Sequence, residues 1–242
     1  LYRSGSLASK PILSSEALSL IDSISPDEEL RKILEHRTQE LIEYQNLSYA
    51  KEYMSFVGNI FEKEQKTRSS SELSQNVAKY LFKLMATKDE YEVARLSLKA
   101  ELDSAINKEF GKSAKISYML HPPFLKAMEN IPILNMLPGV KSKLALGSWF
   151  KVFYVMLKNM KFLRGTPFDF MAWFSNDVRK ADRKALNHYK SILSNNIDEI
   201  GNGKYQDLKE FSILPDIIRG YEEVRLETMD EFYLKSNNLF KS

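Results

Sequence analysis

Ser69-Ser70-Ser71-Glu72-Leu73-Ser74-Gln75-Asn76-Val77-Ala78-Lys79-Tyr80-Leu81-Phe82-Lys83-Leu84-Met85 is the stretch that decides the fold. Leu73, Val77, Tyr80, Leu81, Leu84 and Met85 recur at steps of three and four, one unbroken apolar stripe on a 3.6-residue helix. Ser69 and Glu72 stand three apart, the spacing of a capping box at its start. Upstream, Pro26 with Asp27, Glu28 and Glu29 reads as another helix start, capped by Ser25. Leu30, Leu34 and Leu41, then Tyr49, Tyr53, Phe56 and Ile60, carry the helical period to about Lys66. Such a helix would be about 60 Å long at 1.5 Å per residue, and a kink is expected at Gly58.

Downstream, Lys88-Asp89-Glu90-Tyr91-Glu92-Val93-Ala94-Arg95-Leu96 follows at once. Lys88 and Glu92 are spaced to pair on one helix face, as are Glu92 and Arg95, and Tyr91 can carry the Arg95 guanidinium. The pattern runs through Leu98, Leu102, Ile106 and Phe110 to a stop at Gly111. Ile116, Tyr118 and Leu120 alternate with Ser117 and Met119 and read as the one strand. Residues 121–141, with Pro122, Pro123, Pro132, Pro138 and Gly139, read as an irregular connection. A buried helix is expected over Leu144 to Leu163, and an amphipathic one over Ser175 to Asn196 with Arg179, Lys180, Arg183 and Lys184 outward. Thr166 and Pro167 read as a further helix start. Gly201-Asn202-Gly203 is a turn, and the rest reads as two short helices hinged at Arg219-Gly220. The expected architecture is mainly α, a multi-helix domain of long amphipathic helices with at most one small β element. Residues 1–25, rich in serine, read as a linker or loosely ordered arm, and residues 26–242 as a single helical domain.

Composition agrees. The 242 residues hold 43% hydrophobic side chains, 9 Gly and 8 Pro, enough for a core and too few breakers for an all-β sandwich. With 0 Cys there is no disulfide, no thiolate nucleophile and no cysteine-ligated iron–sulfur cluster. Net charge is +3, too mild to indicate nucleic acid. It is unevenly spread: residues 16–64 carry a net −6 and residues 141–190 a net +8, which reads as solvated faces of opposite sign. The basic face of Arg179, Lys180, Arg183 and Lys184 lacks interleaved aromatics, so base stacking is not expected. No apolar run reaches the length of a membrane span and no signal peptide is visible, so a cytoplasmic location away from membranes is expected. The chain opens on Leu1 rather than Met, as a piece of a longer polypeptide would.

Motifs that carry chemistry are few. His36, His121 and His188 have no second ligand at metal spacing. Gly111-Lys112-Ser113 lacks the leading glycine of a phosphate loop, because Ile106 stands there. Gly201-Asn202-Gly203 with Asn237-Asn238 imitates a thiamine diphosphate motif, but the neutral Asn202 replaces the magnesium-binding carboxylate. Arg164-Gly165 and Arg219-Gly220 place arginines at helix ends, where they can cover carbonyls or meet an acidic partner.

Ordered stretches carry a resemblance. Tyr44-Gln45-Asn46-Leu47-Ser48-Tyr49-Ala50, then Leu81 to Leu96, Pro122-Pro123, Leu163-Arg164-Gly165-Thr166, Leu214-Pro215 and Ile218-Arg219-Gly220-Tyr221 follow in the order of one family. Over about residues 25–235 the chain resembles the uncharacterised helical domain at the C-terminal end of indolepyruvate:ferredoxin oxidoreductases and related fused 2-oxoacid oxidoreductases. It departs at Thr87 and at Glu222-Glu223. The resemblance implies a parent enzyme that decarboxylates aryl 2-oxoacids with thiamine diphosphate and Mg. Electrons would pass through iron–sulfur clusters to ferredoxin, and the acyl group to coenzyme A. No catalytic, cofactor or metal residue of that parent is matched here. The expected role is a non-catalytic domain that packs on, dimerises or covers the catalytic body, its partners being other domains or subunits or a second copy. A stand-alone helical interaction scaffold is the alternative. Lys88, Asp89, Glu90, Tyr91, Glu92, Arg95, Arg164 and Arg219 are the candidate structural or docking residues. A third possibility is an active site built from Asp89, Glu90, Glu92 and Arg95, which would need a solvent-reached cavity at Tyr91.

Overall fold

The computed structural model describes residues 12–99, 104, 106, 108–111, 118–120, 144–146, 151–173 and 176–240. Its elements are α1 (Ser15–Asp22), α2 (Glu28–Tyr44), α3 (Leu47–Thr67), α4 (Glu72–Met85), α5 (Glu90–Ser97), β1 (Tyr118–Leu120), β2 (Leu144–Leu146), α6 (Lys151–Asn159), α7 (Asn176–Asn196), α8 (Tyr205–Ile213) and α9 (Glu222–Leu239). Short 3-10 turns lie at Met160–Leu163, Phe170–Trp173, Ile197–Asn202 and Leu214–Ile217. The protein is mainly α, as its periodicity predicts. β1 and β2 pair antiparallel, Tyr118 opposite Leu146. The chain divides into two compact units, one of residues 1–86 with 181–242 and one of residues 87–180.

The first unit builds its core from one face of each helix. Leu30, Leu34 and Leu41 of α2, Tyr53, Val57 and Ile60 of α3, and Leu73, Val77 and Leu81 of α4 are buried together. Ala185, Tyr189 and Leu193 of α7, Phe211 of α8 and Phe232 of α9 complete it. The stretch that reads as an arm contributes too: Ser15–Asp22 is helical, capped by Ser14, with Ala17 and Ile21 fully buried. The long helix expected from Pro26 to Lys66 is two helices. Gln45 leaves helical geometry and Asn46 caps α3 by accepting from the Tyr49 amide at 2.9 Å, so the break lies there and not at Gly58. Gly58 sits within α3, where a Cβ would meet Ile24 Cγ2 at 2.7 Å. The cap of α2 is Asp27, not Ser25.

The capping box expected of Ser69 and Glu72 does not form. Ser71 is the N-cap residue of α4 and its side chain makes no capping bond. The buried Glu64, near the end of α3, supplies the acceptors. Its carboxylate takes the Leu73 amide at 2.9 Å, the Ser74 amide at 2.8 Å, the Ser74 hydroxyl at 2.5 Å and the Tyr205 hydroxyl at 2.9 Å. A negative charge at a helix N-terminus is favoured by the free amides and the dipole there.

The second unit has a smaller core of Tyr91, Ala94, Tyr154, Leu157 and Met171. The helix expected over Leu144 to Leu163 is here a strand at Leu144–Leu146 and a helix from Lys151; Trp149 and Phe150 lie outside the described residues. A short apolar run suits strand and helix alike by pattern, and pairing with β1 settles it as a strand. α5 ends at Ser97, with Leu98 and Lys99 outside it; residues 104, 106 and 108–110 are helical again, and Gly111 follows them out of helix with a φ of 81°, the stop its position predicts. Residues 121–141, His121, Ile116 and Leu102 lie outside the described residues. Thr166-Pro167 opens a turn and a 3-10 segment rather than a regular helix.

Candidate functional site

Asp89 is the N-cap of α5. Its carboxylate accepts the Glu92 amide at 2.8 Å, the N-cap bond that fixes the first turn. The same group takes the Arg164 fork, Nε at 2.5 Å and Nη2 at 2.9 Å. Such a bidentate pair is the planar match that guanidinium and carboxylate make best. It ties α5 to the turn after Met160–Leu163, across 75 residues of sequence.

Glu90 and Tyr91 reach the start of α7. Arg179 hydrogen bonds Glu90 through Nη2 and donates from Nη1 to Asp169 at 2.8 Å. Tyr91 donates its hydroxyl to Asp169 at 2.9 Å. Asp169, 1% exposed, also accepts the Gly165 amide at 3.0 Å and the Ala172 amide at 3.2 Å. Gly165 takes a positive φ of 77°, a backbone that glycine adopts without cost. The guanidinium carbons of Arg164 and Arg179 lie 5.5 and 6.0 Å from the centre of the Tyr91 ring, within cation–π range. Burial pushes the Tyr91 phenol up, and the hydrogen bond to the anionic Asp169 pushes it further. Burial also raises Glu90, and Arg179 only partly offsets it.

One turn along α5, Glu92 and Arg95 clasp each other. Glu92 Oε2 takes Arg95 Nε and Glu92 Oε1 takes Arg95 Nη2, both at 2.8 Å, with residue exposures of 6% and 5%. This pair was expected from spacing; its burial was not. Lys88 is exposed ahead of α5. Arg219 belongs to the first unit and lies in none of this. It is exposed, pairs with Asp216 at 2.7 Å and covers the Asp216 carbonyl at 2.9 Å, the end-of-helix role its position suggests.

Asp89, Glu90, Tyr91, Arg164 and the Glu92–Arg95 pair therefore gather in the second unit, and Asp169 and Arg179 join them unforeseen. Arg179 reads in sequence as one of four outward cations, yet its side chain is 12% exposed and holds two carboxylates. Asp169 also accepts the Ala172 amide three residues on, the contact of an acid at a helical turn's start. The chemistry available to this constellation is the binding of charge to charge. The carboxylates of Asp89, Glu90, Glu92 and Asp169 each already hold an arginine, so none is positioned as a free acid or base. Among the described residues no group of three or more His, Asp or Glu is placed to hold a metal ion. The Gly201-Asn202-Gly203 motif does not fit the magnesium of thiamine diphosphate. Gly201-Asn202-Gly203 is an exposed turn, and Asn202 offers an amide where a magnesium ligand would be a carboxylate.

No helix among the described residues is long and apolar enough to cross a membrane. A family described as "Family of unknown function (DUF6537)" matches residues 30–237. No curated protein matches the chain, and no solved structure does.

Proposed function

Because the chain belongs to the DUF6537 family, whose function is unknown, we propose its role from its own residues: it is a non-catalytic helical domain of a 2-oxoacid:ferredoxin oxidoreductase of the indolepyruvate type. It packs on, dimerises or covers a catalytic body that holds the thiamine diphosphate, Mg and iron–sulfur clusters and that meets ferredoxin and coenzyme A. The link to that enzyme class rests on the ordered resemblance from Tyr44 to Tyr221. The observation that carries the non-catalytic part is the state of the Asp89–Glu92 acids. In the Lys88 to Leu96 stretch of the resemblance, every carboxylate is held by an arginine within the second unit, and Tyr91 is buried on Asp169. A catalytic carboxylate needs reach to a substrate proton; these are engaged in holding α5.

The test mixes the chain with the catalytic body of an indolepyruvate:ferredoxin oxidoreductase that lacks its own helical domain. Co-sedimentation of the two at micromolar concentrations, with a changed rate of indolepyruvate oxidation, is the expected result. The chain alone should give no heat with magnesium thiamine diphosphate in calorimetry. Micromolar cofactor binding by the chain, or no complex with the body, would overturn the reading.

A further inference from the structure

Between Lys151 and Lys158 every residue of α6 is apolar or aromatic: Val152, Phe153, Tyr154, Val155, Met156 and Leu157. A helix apolar on every side belongs in an interior. α6 is buried on one side only. Tyr154 and Leu157, each 3% exposed, anchor it in the core of the second unit and fix which face looks outward. That face is Val152, Val155 and Met156, which share one side of the helix by their spacing and are 76%, 48% and 48% exposed. Phe162, in the 3-10 turn that follows, and Phe168 are exposed in the same unit. Lys151 stands four residues before Val155 and Lys158 three after it, so lysines border both ends of the bare stripe. From Ile131 to Phe168 the sequence holds Lys141, Lys143, Lys151, Lys158, Lys161 and Arg164 and no acid.

An apolar centre with a cationic border calls for an occupant that is apolar in the middle and negative at its edge. We propose that the outward face of α6 is the docking surface of this domain, and that its occupant is an apolar ridge bordered by carboxylates on the catalytic body. The proposal rests on the docking reading above and names the surface that reading requires. A second copy laid on the same face would set Lys151 and Lys158 against their own kind, because a two-fold interface is made of one patch twice. A lipid surface suits it less than a protein does. Helices that lie in a headgroup layer keep their cations on the face away from the lipid, and the face of α6 opposite the stripe is buried. Valine holds essentially one χ1 rotamer in a helix, so the stripe is stiff and loses little entropy against a shaped surface.

The test measures the affinity of the catalytic body for the wild-type chain, for Val152→Asp with Val155→Asp, for Lys158→Glu, and for Leu234→Asp. The last is a control at an exposed leucine of the first unit. Circular dichroism checks that each variant keeps the fold. The paired aspartates should weaken binding about a hundredfold, since they would be buried on apolar surface beside carboxylates. Lys158→Glu should weaken it about fivefold at low salt and not at about 1 M, where charges are screened within about 3 Å. Leu234→Asp should bind as wild type does. Wild-type binding that the paired aspartates leave unchanged overturns this inference and spares the docking reading. Lys158→Glu leaves the stripe intact, so it decides even where the paired variant does not fold; unchanged binding at low salt overturns the acidic border. No complex with the wild-type chain overturns the docking reading and this surface with it. Two measurements on the chain alone assign the face elsewhere. A dimer in sedimentation velocity that the paired variant lacks gives it to a second copy. Flotation with phosphatidylcholine–phosphatidylserine vesicles that the paired variant lacks gives it to lipid. Either result overturns the inference.

Discussion

Asp169 is where the smallest change has the largest reach. Its two oxygens receive Tyr91, Arg179 and the amides of Gly165 and Ala172. Asp169→Asn keeps the shape and removes the charge, leaving Arg179 half-paired in a buried site. Breaking a buried ion pair from one side costs about 3–5 kcal/mol, against about 0.3–0.5 for an exposed helix pair. Urea unfolding should show the larger loss, and a loss under about 1 kcal/mol would mean the network is solvated. Glu92→Ala and Arg95→Ala should each cost as much, and the double variant far less than their sum. Glu90 behaves differently, because burial raises its pKa in the folded chain. A raised carboxyl binds more protons folded than unfolded, so its contribution to stability falls as pH rises from the ordinary carboxylate range through the folded value. The stability of wild type relative to Glu90→Gln should therefore decline over that window and flatten above it; a rise would contradict the burial effect. None of this was readable at Asp169 or Arg179. Tyr91 and Asp169 stand 78 residues apart, and local spacing predicts only pairs within a turn or two of helix. Glu92 and Arg95, three apart, were readable for that reason.

At the scale of elements, the apolar stripes of α2, α3, α4 and α7 were legible because burial on one face imposes a 3.6-residue period that tertiary context seldom erases. The helix ends were less so. Glu64 caps α4 from the preceding helix, nine residues before Leu73, so no box pattern announces it. Glu64→Gln should leave an amide donor against the Leu73 or Ser74 amides and cost about 1–3 kcal/mol. Hydrogen exchange at the Leu73 and Ser74 amides should quicken with it; unchanged exchange at both would show that the carboxylate is not their acceptor. Gly58, expected as a kink, is a point of close approach. Alanine there gains helix propensity of up to about 1 kcal/mol, yet its Cβ meets Ile24, and overpacking costs about 1–3 kcal/mol. Gly58→Ala should therefore destabilise alone and become neutral or better with Ile24→Ala, judged by the coupling in a double-mutant cycle. The β2 strand carries no sequence signal because three apolar residues have no period of their own, and their partner lies across the chain in β1.

At the scale of the molecule, the uneven charge is partly absorbed within the first unit, where α3 pairs with cations and anions far along the chain. Lys190 meets Glu52 and Lys63 meets Asp198, while Arg31 meets Asp22. Exposed pairs of this kind contribute little, so stability rests on the apolar cores, and the two units differ there. The first buries aligned faces of α2, α3, α4, α7, α8 and α9; the second buries Tyr91, Ala94, Tyr154, Leu157 and Met171 beside an ion-pair network. A core of fewer apolar side chains opens at lower free energy than a broad one. Native-state hydrogen exchange should thus find the slowest amides at Tyr53, Val57, Leu81 and Tyr189 and faster ones at Ala94 and Arg95. Asp169→Asn should quicken the second set by a larger factor than the first, because its partners lie wholly within residues 87–180. Equal acceleration of both sets would mean that the second unit has no opening of its own, and that the network's loss is felt only through global unfolding.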